Sequence, residues 1–152
     1  MGTERGTVVI SPADVNKLVE SEFPAAYSSG YRCVELGERT AVARWEHDAA
    51  VLRPGGYVSG LTLFGLADIA LWFATFTVVG LEPMAVTSDL AISFLRPAVG
   101  ASVLGRAQLL RVGSTRIYGQ IDMWLEGDEA RLVAQAHGNY SPPAARRRSG
   151  ST

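Results

Sequence analysis

A continuous apolar run from Val58 to Leu81 limits what this chain can fold into more than any other feature. The run reads VSGLTLFGLADIALWFATFTVVGL, and Asp68 is its one charged residue. A run of this length can cross a bilayer. However, an aspartate at mid-membrane is costly, and no Lys or Arg closely flanks either end. We therefore interpret the run as a helix that is buried on nearly all sides inside a globular domain, with no membrane contact.

The flanking sequence predicts a sheet for this helix to pack against. The helix should begin near Ser59, and Gly80 followed by Pro83 should end it. Two predicted strands precede it and four follow it, at Tyr31–Leu36, Arg39–Glu46, Val86–Leu95, Ser102–Val112, Thr115–Leu125 and Arg131–Tyr140. The short connections after the helix predict an antiparallel meander with one face buried. A sheet that curls around the helix gives an α+β architecture.

Length and composition indicate one domain. We expect residues 1–140 to form it, with a short N-terminal helix that Ser11 caps, and residues 141–152 to be a disordered tail. The formal net charge of -1 argues against a nucleic-acid partner. Cys33 is the single cysteine, so an intrachain disulfide and a thiolate metal cluster are excluded. The first residues lack the order of a signal peptide, which favours a cytoplasmic location. No pattern predicts a metal or another cofactor.

Asp68 is the first candidate for chemistry. One interpretation is a structural acid that is hydrogen-bonded to nearby groups. The other is a general base or nucleophile in an apolar cleft. Burying a carboxylate without partners is expensive, and ionisable groups on otherwise apolar helices tend to be functional, so we favour the second interpretation. Gly65 and Trp72 lie on the same helix face, and the small Gly65 would let a partner or ligand approach closely.

The helix N-terminus at Ser59-Gly60 is the second candidate. Free N–H groups and the positive end of the helix dipole suit a developing oxyanion, and Gly60 would let a carbonyl approach the backbone. Gly60 and Asp68 are eight residues apart, or about 12 Å along one helix at 1.5 Å per residue. This is too far for both to act on one carbonyl. A shared reaction would therefore need two chains, which predicts a homodimer or a homotetramer built as a dimer of dimers.

Residues 53–98 resemble the hotdog-fold acyl-CoA thioesterases, specifically the PaaI-like branch of the 4-hydroxybenzoyl-CoA thioesterase superfamily. In that branch a His-Gly-Gly run precedes a Leu-Ala-Asp run by four residues. The matching runs here are Ser59-Gly60-Leu61 and Leu66-Ala67-Asp68. The later strand ends in Phe94-Leu95-Arg96-Pro97-Ala98, which is similar to the family's F-L-R-P-A.

This resemblance implies a hotdog fold, in which a curved antiparallel sheet wraps around a long central helix. It implies hydrolysis of small aromatic or short- to medium-chain acyl-CoA thioesters at a dimer interface. Asp68 would be the general base or nucleophile. The Gly60 N–H would polarise the thioester carbonyl from the partner chain, and Thr87 would help to hold the attacking water.

The sequence departs from the family pattern at three places. Ser59 replaces the histidine, Leu61 replaces the second glycine, and Arg53 stands at the loop asparagine. Ser59 still suits a helix cap, whereas Leu61 would reshape the acyl pocket and Arg53 removes an orienting amide. A thioesterase with atypical substrate preference is our interpretation, and a non-catalytic acyl-CoA binder is the alternative.

The sequence leaves open the roles of several arginines and histidines outside these motifs. Arg116, with Arg106 and Arg111, lies near a predicted turn, where it would contact CoA phosphates or simply face solvent. Hotdog dehydratases pair an acid with a catalytic histidine. Here His47 and His137 stand apart on predicted strands or at their ends, so we interpret each as a surface or structural residue and not as a base.

Overall fold

A computed structural model of the chain describes residues 9–143. Its helices and strands in chain order are α1 Pro12–Glu22, α2 Pro24–Ser28, β1 Tyr31–Gly37, β2 Thr40–Trp45, α3 Gly60–Val79, β3 Val86–Phe94, β4 Val103–Val112, β5 Ile117–Leu125 and β6 Leu132–Ser141. A short 3₁₀ turn, Ala49–Val51, lies between β2 and α3. The six strands form one antiparallel sheet in the order β1-β2-β4-β5-β6-β3.

The sheet curves around α3, which is the long helix expected from the apolar run. Ser59 caps its N-terminus by accepting a hydrogen bond from the Thr62 N–H, and Gly80 ends it with a φ of 84°. Its side chains are buried on nearly all sides, at Leu63, Leu66, Ala67, Ile69, Ala70, Leu71, Trp72, Phe73, Ala74, Thr75 and Phe76. The predicted hotdog fold, an α+β architecture, is therefore confirmed.

The same helix is long and apolar enough to cross a membrane, with a mean hydropathy of 1.7 over its most apolar window. In this fold, however, 61% of that window is buried inside the protein. The helix approaches the sheet closely. A side chain at Gly119 on β5 would stand 2.7 Å from Leu71 Cδ1. The apolar surface of α3 is thus covered mainly by the protein's own strands, as in the core helix of a globular domain.

The N-terminal helix is also as predicted. Ser11 and Asp14 form a capping box, in which the Ser11 hydroxyl accepts from the Asp14 N–H and the Asp14 carboxylate accepts from the Ser11 N–H. Val15 and Val19 are buried against the core. The five-residue helix α2 that follows was not predicted, because its segment begins with Pro24, which we expected to close the helical region.

The strand order corrects one expectation. We expected the four strands after α3 to form a simple meander, but β3 pairs with β6 and not with β4. The segment between β3 and β4 hydrogen-bonds instead to the loop before α3, where the Val58 N–H donates to the Ala98 carbonyl at 2.9 Å. Strands β4, β5 and β6 do form consecutive hairpins. As a result β3 is an edge strand.

The predicted domain boundary stays a prediction. β6 extends through Ser141, one residue beyond the end that we expected for the domain. Residues 144–152, which are most of the predicted tail, and residues 1–8 lie outside the described part of the chain.

Candidate functional site

Asp68 lies in the wall of a cavity of about 540 Å³ between α3, β3 and the N-terminal helices. Gly65 and Trp72, one turn to either side of Asp68 on α3, line the same cavity, and so does Thr87 from β3. Four of the candidate residues named from the sequence are therefore brought together here. The remaining walls are mostly apolar, from Phe23, Ala25, Ala26, Ile69, Pro83, Ala85 and Val86.

The Asp68 carboxylate is held by two hydroxyl groups. Oδ1 accepts a hydrogen bond from Thr87 Oγ1 at 2.7 Å and another from the Tyr140 hydroxyl at 2.9 Å. The Tyr140 hydroxyl also lies 3.1 Å from the Asp68 backbone carbonyl. No side-chain hydrogen bond to Oδ2 is observed among the described residues. This carboxylate thus has one anchored oxygen and one oxygen that is free to act on a ligand.

The edge strand supplies this geometry through a bulge. Thr87 lies opposite Tyr140 in the pairing of β3 with β6, and the register shifts between Thr87 and Asp89. Beyond the bulge Asp89 pairs with Asn139, and their side chains hydrogen-bond to each other. The extra residue, Ser88, bonds instead to Ser141. The bulge therefore lets Thr87 share a face with Tyr140, towards α3.

A second cavity of about 490 Å³ contains the other predicted half of the site. Gly60 lines it together with Arg53, Phe94 and Arg96. The described linings of the two cavities have no residue in common. Asp68 and Gly60 therefore belong to separate depressions of one chain, as their spacing along the helix predicts.

The start of α3 has the features of an anion site. The Ser59 side chain caps Thr62 at 3.1 Å, and the Leu63 N–H donates to the Ser59 carbonyl at 3.1 Å. Gly60 is the first helical residue, so its N–H has no partner within the helix. A side chain at Gly60 would lie 3.2 Å from the Phe94 ring. Glycine thus lets the Phe94 ring pack closely against the start of α3.

Gly65 does permit a close approach, but by a residue of its own chain. A Cβ at this position would stand 2.6 Å from the Tyr31 hydroxyl, which donates to the Thr62 carbonyl at 3.0 Å. Burial raises the pKa of Tyr31 to about 12, so the phenol stays protonated and remains a donor. Tyr31 thus occupies the space where a side chain at position 65 would stand, and because Gly65 still lines the cavity, its contact with a ligand or partner stays a prediction.

Three other expectations concern surface residues. Arg116 is exposed just before β5 and lines neither cavity, so its contact with a phosphate stays a prediction. Arg106, in contrast, pairs with Glu129 and lies over the Trp124 ring. Leu61 is 83% exposed and also lines neither cavity, so it does not narrow the acyl pocket of its own chain.

Sequence reasoning missed Tyr140, Tyr31 and Phe23. Phe23 joins α1 to α2 and meets Trp72 edge-on, with ring centroids 6.2 Å apart, so the N-terminal helices close one side of the cavity. The signal for Tyr140 was the alternation along β6, where positions 134, 136, 138 and 140 all face inward. No comparable signal pointed to Phe23, which follows a helix end. Among residues 9–143, no cluster of three His, Cys, Asp or Glu side chains could hold a metal ion.

Comparison with known families identifies the superfamily to which this sequence is similar. A family model described as the thioesterase superfamily matches residues 55–131. This span contains Gly60, Asp68 and Thr87. A search among curated proteins gives no significant match.

Several solved structures are similar to the whole fold. A candidate thioesterase from a Silicibacter species is 31% identical, with a TM-score of 0.79 over 90% of this chain and 95% of that one. A variant of the phenylacetic acid degradation protein PaaI from Thermus thermophilus is 26% identical, with a TM-score of 0.68 over 79% of this chain and 99% of that one. The PaaI protein of E. coli is 25% identical, with a TM-score of 0.69 over 86% of this chain and 96% of that one.

Proposed function

The chain belongs to the thioesterase superfamily, and from this premise we propose that it hydrolyses small aromatic or short- to medium-chain acyl-CoA thioesters at a site shared by two copies. The observation that carries the proposal is the separation of two complementary half-sites. Asp68 and Thr87 lie in one cavity, and Gly60 and Arg53 lie in another. One half offers a carboxylate and the other offers an unpaired backbone donor, so each lacks what the other supplies.

The Asp68 cavity suits an uncharged acyl group. Its volume of about 540 Å³ is within the range of small-molecule pockets, and aromatic rings of Phe23 and Trp72 form part of its wall. Tyr31 and Tyr140 also contribute, and both direct their hydroxyls to α3. These features favour an acyl group that is either a flat aromatic ring or a compact aliphatic chain. The cationic Arg53 and Arg96 beside Gly60 suit the phosphates of CoA.

Two routes of hydrolysis fit the free oxygen of Asp68. As a nucleophile, Oδ2 attacks the thioester carbonyl, the C–S bond breaks, and CoA leaves as a thiolate while water later hydrolyses the acyl-aspartate anhydride. As a general base, the carboxylate takes a proton from the attacking water, and that proton passes to the leaving thiolate. In both routes an oxyanion develops on the carbonyl. The Gly60 N–H of the partner subunit would stabilise it.

Thr87 has a modified role in this proposal. The family resemblance assigns it to the attacking water, but its hydroxyl hydrogen is already donated to Asp68 Oδ1. Its oxygen retains lone pairs that can accept from a water. Thr87 would therefore fix the carboxylate and position the water together.

The second copy would pair along β3. This strand is an edge, and exposed apolar side chains lie at both ends of it, with Val86 at 61% and Phe94 at 54% exposure. Unpaired edges of this kind readily bind another strand. When two copies pair antiparallel about a two-fold axis, the Thr87 end of one strand lies beside the Phe94 end of the other. That arrangement would bring Asp68 towards Gly60 of the partner subunit and give two equivalent sites per dimer. A cytoplasmic location and a tetramer of two such dimers remain predictions.

Hydrolysis of a panel of acyl-CoA thioesters, followed by release of free thiol, tests the proposal together with Asp68→Asn. Asparagine keeps an oxygen that accepts from Thr87 and Tyr140, so the variant should fold and assemble like the wild type. We expect its turnover to fall by at least about a hundredfold, as for loss of a general base. A mutant that hydrolyses thioesters at the wild-type rate would show that Asp68 is not the reactive group.

The same panel separates the enzyme from the alternative, a non-catalytic acyl-CoA binder. The three departures at Ser59, Leu61 and Arg53 favour this alternative. In that case no thioester is hydrolysed by the wild type, but acyl-CoA still raises the melting temperature by binding to the folded state. The absence of both turnover and a thermal shift would point to a different ligand.

A further inference from the structure

Tyr140 lies at the end of β6 with its hydroxyl against Asp68. Its side chain is 5% exposed. The phenol oxygen is 2.9 Å from Asp68 Oδ1 and 3.1 Å from the Asp68 carbonyl oxygen. A phenylalanine would fill the same volume in this wall. The hydroxyl is therefore the feature that distinguishes tyrosine here, and both oxygens that its single hydrogen can reach belong to Asp68, the one charged residue of α3.

The phenol is a permanent donor at this position. Burial, together with the negative charge of Asp68, raises the pKa of Tyr140 far above its ordinary value. It therefore keeps its proton at any pH at which the protein functions. Thr87 donates to the same carboxylate oxygen from the neighbouring strand. Oδ1 thus has two donors, from β6 and from β3, whereas Oδ2 has no side-chain hydrogen bond among the described residues.

We propose that Tyr140 is a positioning residue for Asp68, which locks the carboxylate in one rotamer so that Oδ2 faces the acyl cavity. The inference rests on the proposed function of Asp68. Tyr140 acts through Asp68 and need not touch the substrate. Hydrogen bonds to a charged group are stronger than those between neutral groups, so this hydroxyl can hold the carboxylate in one orientation.

The test compares Tyr140→Phe with Tyr118→Phe. Tyr118 lies on the adjacent strand β5, and it contacts His137 rather than Asp68, so its substitution is a matched loss of a tyrosine hydroxyl. For Tyr140→Phe we expect kcat to fall about ten- to a hundredfold, the scale of a lost hydrogen bond to a charged group. KM should change less than about twofold, because the ring still lines the cavity. Tyr118→Phe should match the wild type in both constants.

A double-mutant cycle with Thr87→Val adds a readout that a general loss of stability would not give. Both hydroxyls fix the same oxygen of Asp68. We therefore expect the fold loss in kcat of the double variant to be smaller than the product of the fold losses of Tyr140→Phe and Thr87→Val. Fully multiplicative losses, or equal losses in Tyr140→Phe and Tyr118→Phe, would overturn the proposal.

The rotamer of Asp68 provides a measurement that does not depend on turnover. Three-bond NMR couplings of its β-protons should indicate a single χ1 rotamer in the wild type and in Tyr118→Phe, and averaging in Tyr140→Phe. If the wild type hydrolyses no acyl-CoA, the proposed function fails while these couplings still decide the role of Tyr140. Averaged couplings in the wild type, or a single rotamer retained in Tyr140→Phe, would refute the positioning role.

Discussion

Replacement of Gly60 by proline removes one backbone N–H and leaves the start of α3 intact. Gly60 is the first helical residue, a position that accepts proline readily because its N–H has no helical partner. Ser59 has φ −71° and ψ 153°, which is the extended conformation that the residue before proline prefers. The new ring would meet Phe94, whose ring is 3.2 Å from the Cβ position and 54% exposed, so it has room to move. We therefore expect a folded protein that lacks the proposed oxyanion donor.

The expected loss follows from the role of that donor. Removal of one oxyanion-hole hydrogen bond costs about 10²–10³ in kcat, or about 2.7–4 kcal/mol. Gly60→Ala is the matched control, because it adds the same Cβ beside Phe94 but keeps the N–H. Thiol-release kinetics on the best acyl-CoA should thus show a much larger loss for proline than for alanine. Equal losses in the two variants would mean that the N–H has no part in catalysis.

Mixing this variant with Asp68→Asn tests whether the site is shared. After subunits exchange at equal amounts, about half of the dimers combine one chain of each type. In each mixed dimer, one of the two sites has an intact Asp68 and an intact Gly60 of the partner subunit, and the other site has neither. Activity should therefore recover to about a quarter of the wild-type level, from about 1% in either variant alone. No recovery, with exchange verified by mass spectrometry of tagged chains, would refute a site built from two chains.

Two further predictions concern stability. Burial raises the pKa of Cys33 from 9.0 to about 12, so above pH 9 the unfolded chain releases this thiol proton and the folded protein does not. The free energy of unfolding, measured by urea denaturation, should therefore fall by about 1 kcal/mol between pH 9 and pH 10 because of this thiol. Cys33→Ala lacks the thiol and should not show this contribution. An equal fall in the variant would contradict the raised pKa of Cys33. Gly65→Ala should destabilise the protein by about 1–2 kcal/mol despite the higher helix propensity of alanine, because its Cβ would stand 2.6 Å from the Tyr31 hydroxyl. Adding Tyr31→Phe should recover part of this loss, and a Gly65→Ala variant more stable than the wild type would show that Tyr31 moves without cost.

The helix and strands follow from short-range rules, and for this reason the sequence predicted them closely. Ser59 and Gly80 mark the limits of α3, because a serine cap and a glycine in the left-handed region satisfy the free backbone groups at a helix end. Alternation of period two predicted β5, where Ile117, Ile121 and Met123 are buried on one face. These signals need only a few neighbouring residues, so no tertiary contact had to be known.

The two halves of the candidate site were predictable for a related reason. The spacing of Gly60 and Asp68 on one helix is fixed by the helical rise. That spacing predicted their separation, and the structure places them in different cavities. The identity of Asp68 as a candidate rests on the cost of a carboxylate within an apolar run, which is a property of composition alone.

The place of β3 and the environment of Asp68 were decided only by the tertiary structure. A short connection after β3 looked like a hairpin turn, yet this strand lies at the far edge beside β6, because strand pairing depends on how the sheet closes over α3 and not on the length of one loop. That placement brings Thr87 and Tyr140, which are 53 residues apart in sequence, onto one oxygen of Asp68. It also fills the space above Gly65 with Tyr31. The sequence thus singled out Asp68 as the candidate, through local patterns and burial cost. Long-range packing determined which side chains hold it, because contacts across a sheet leave no local pattern in the chain.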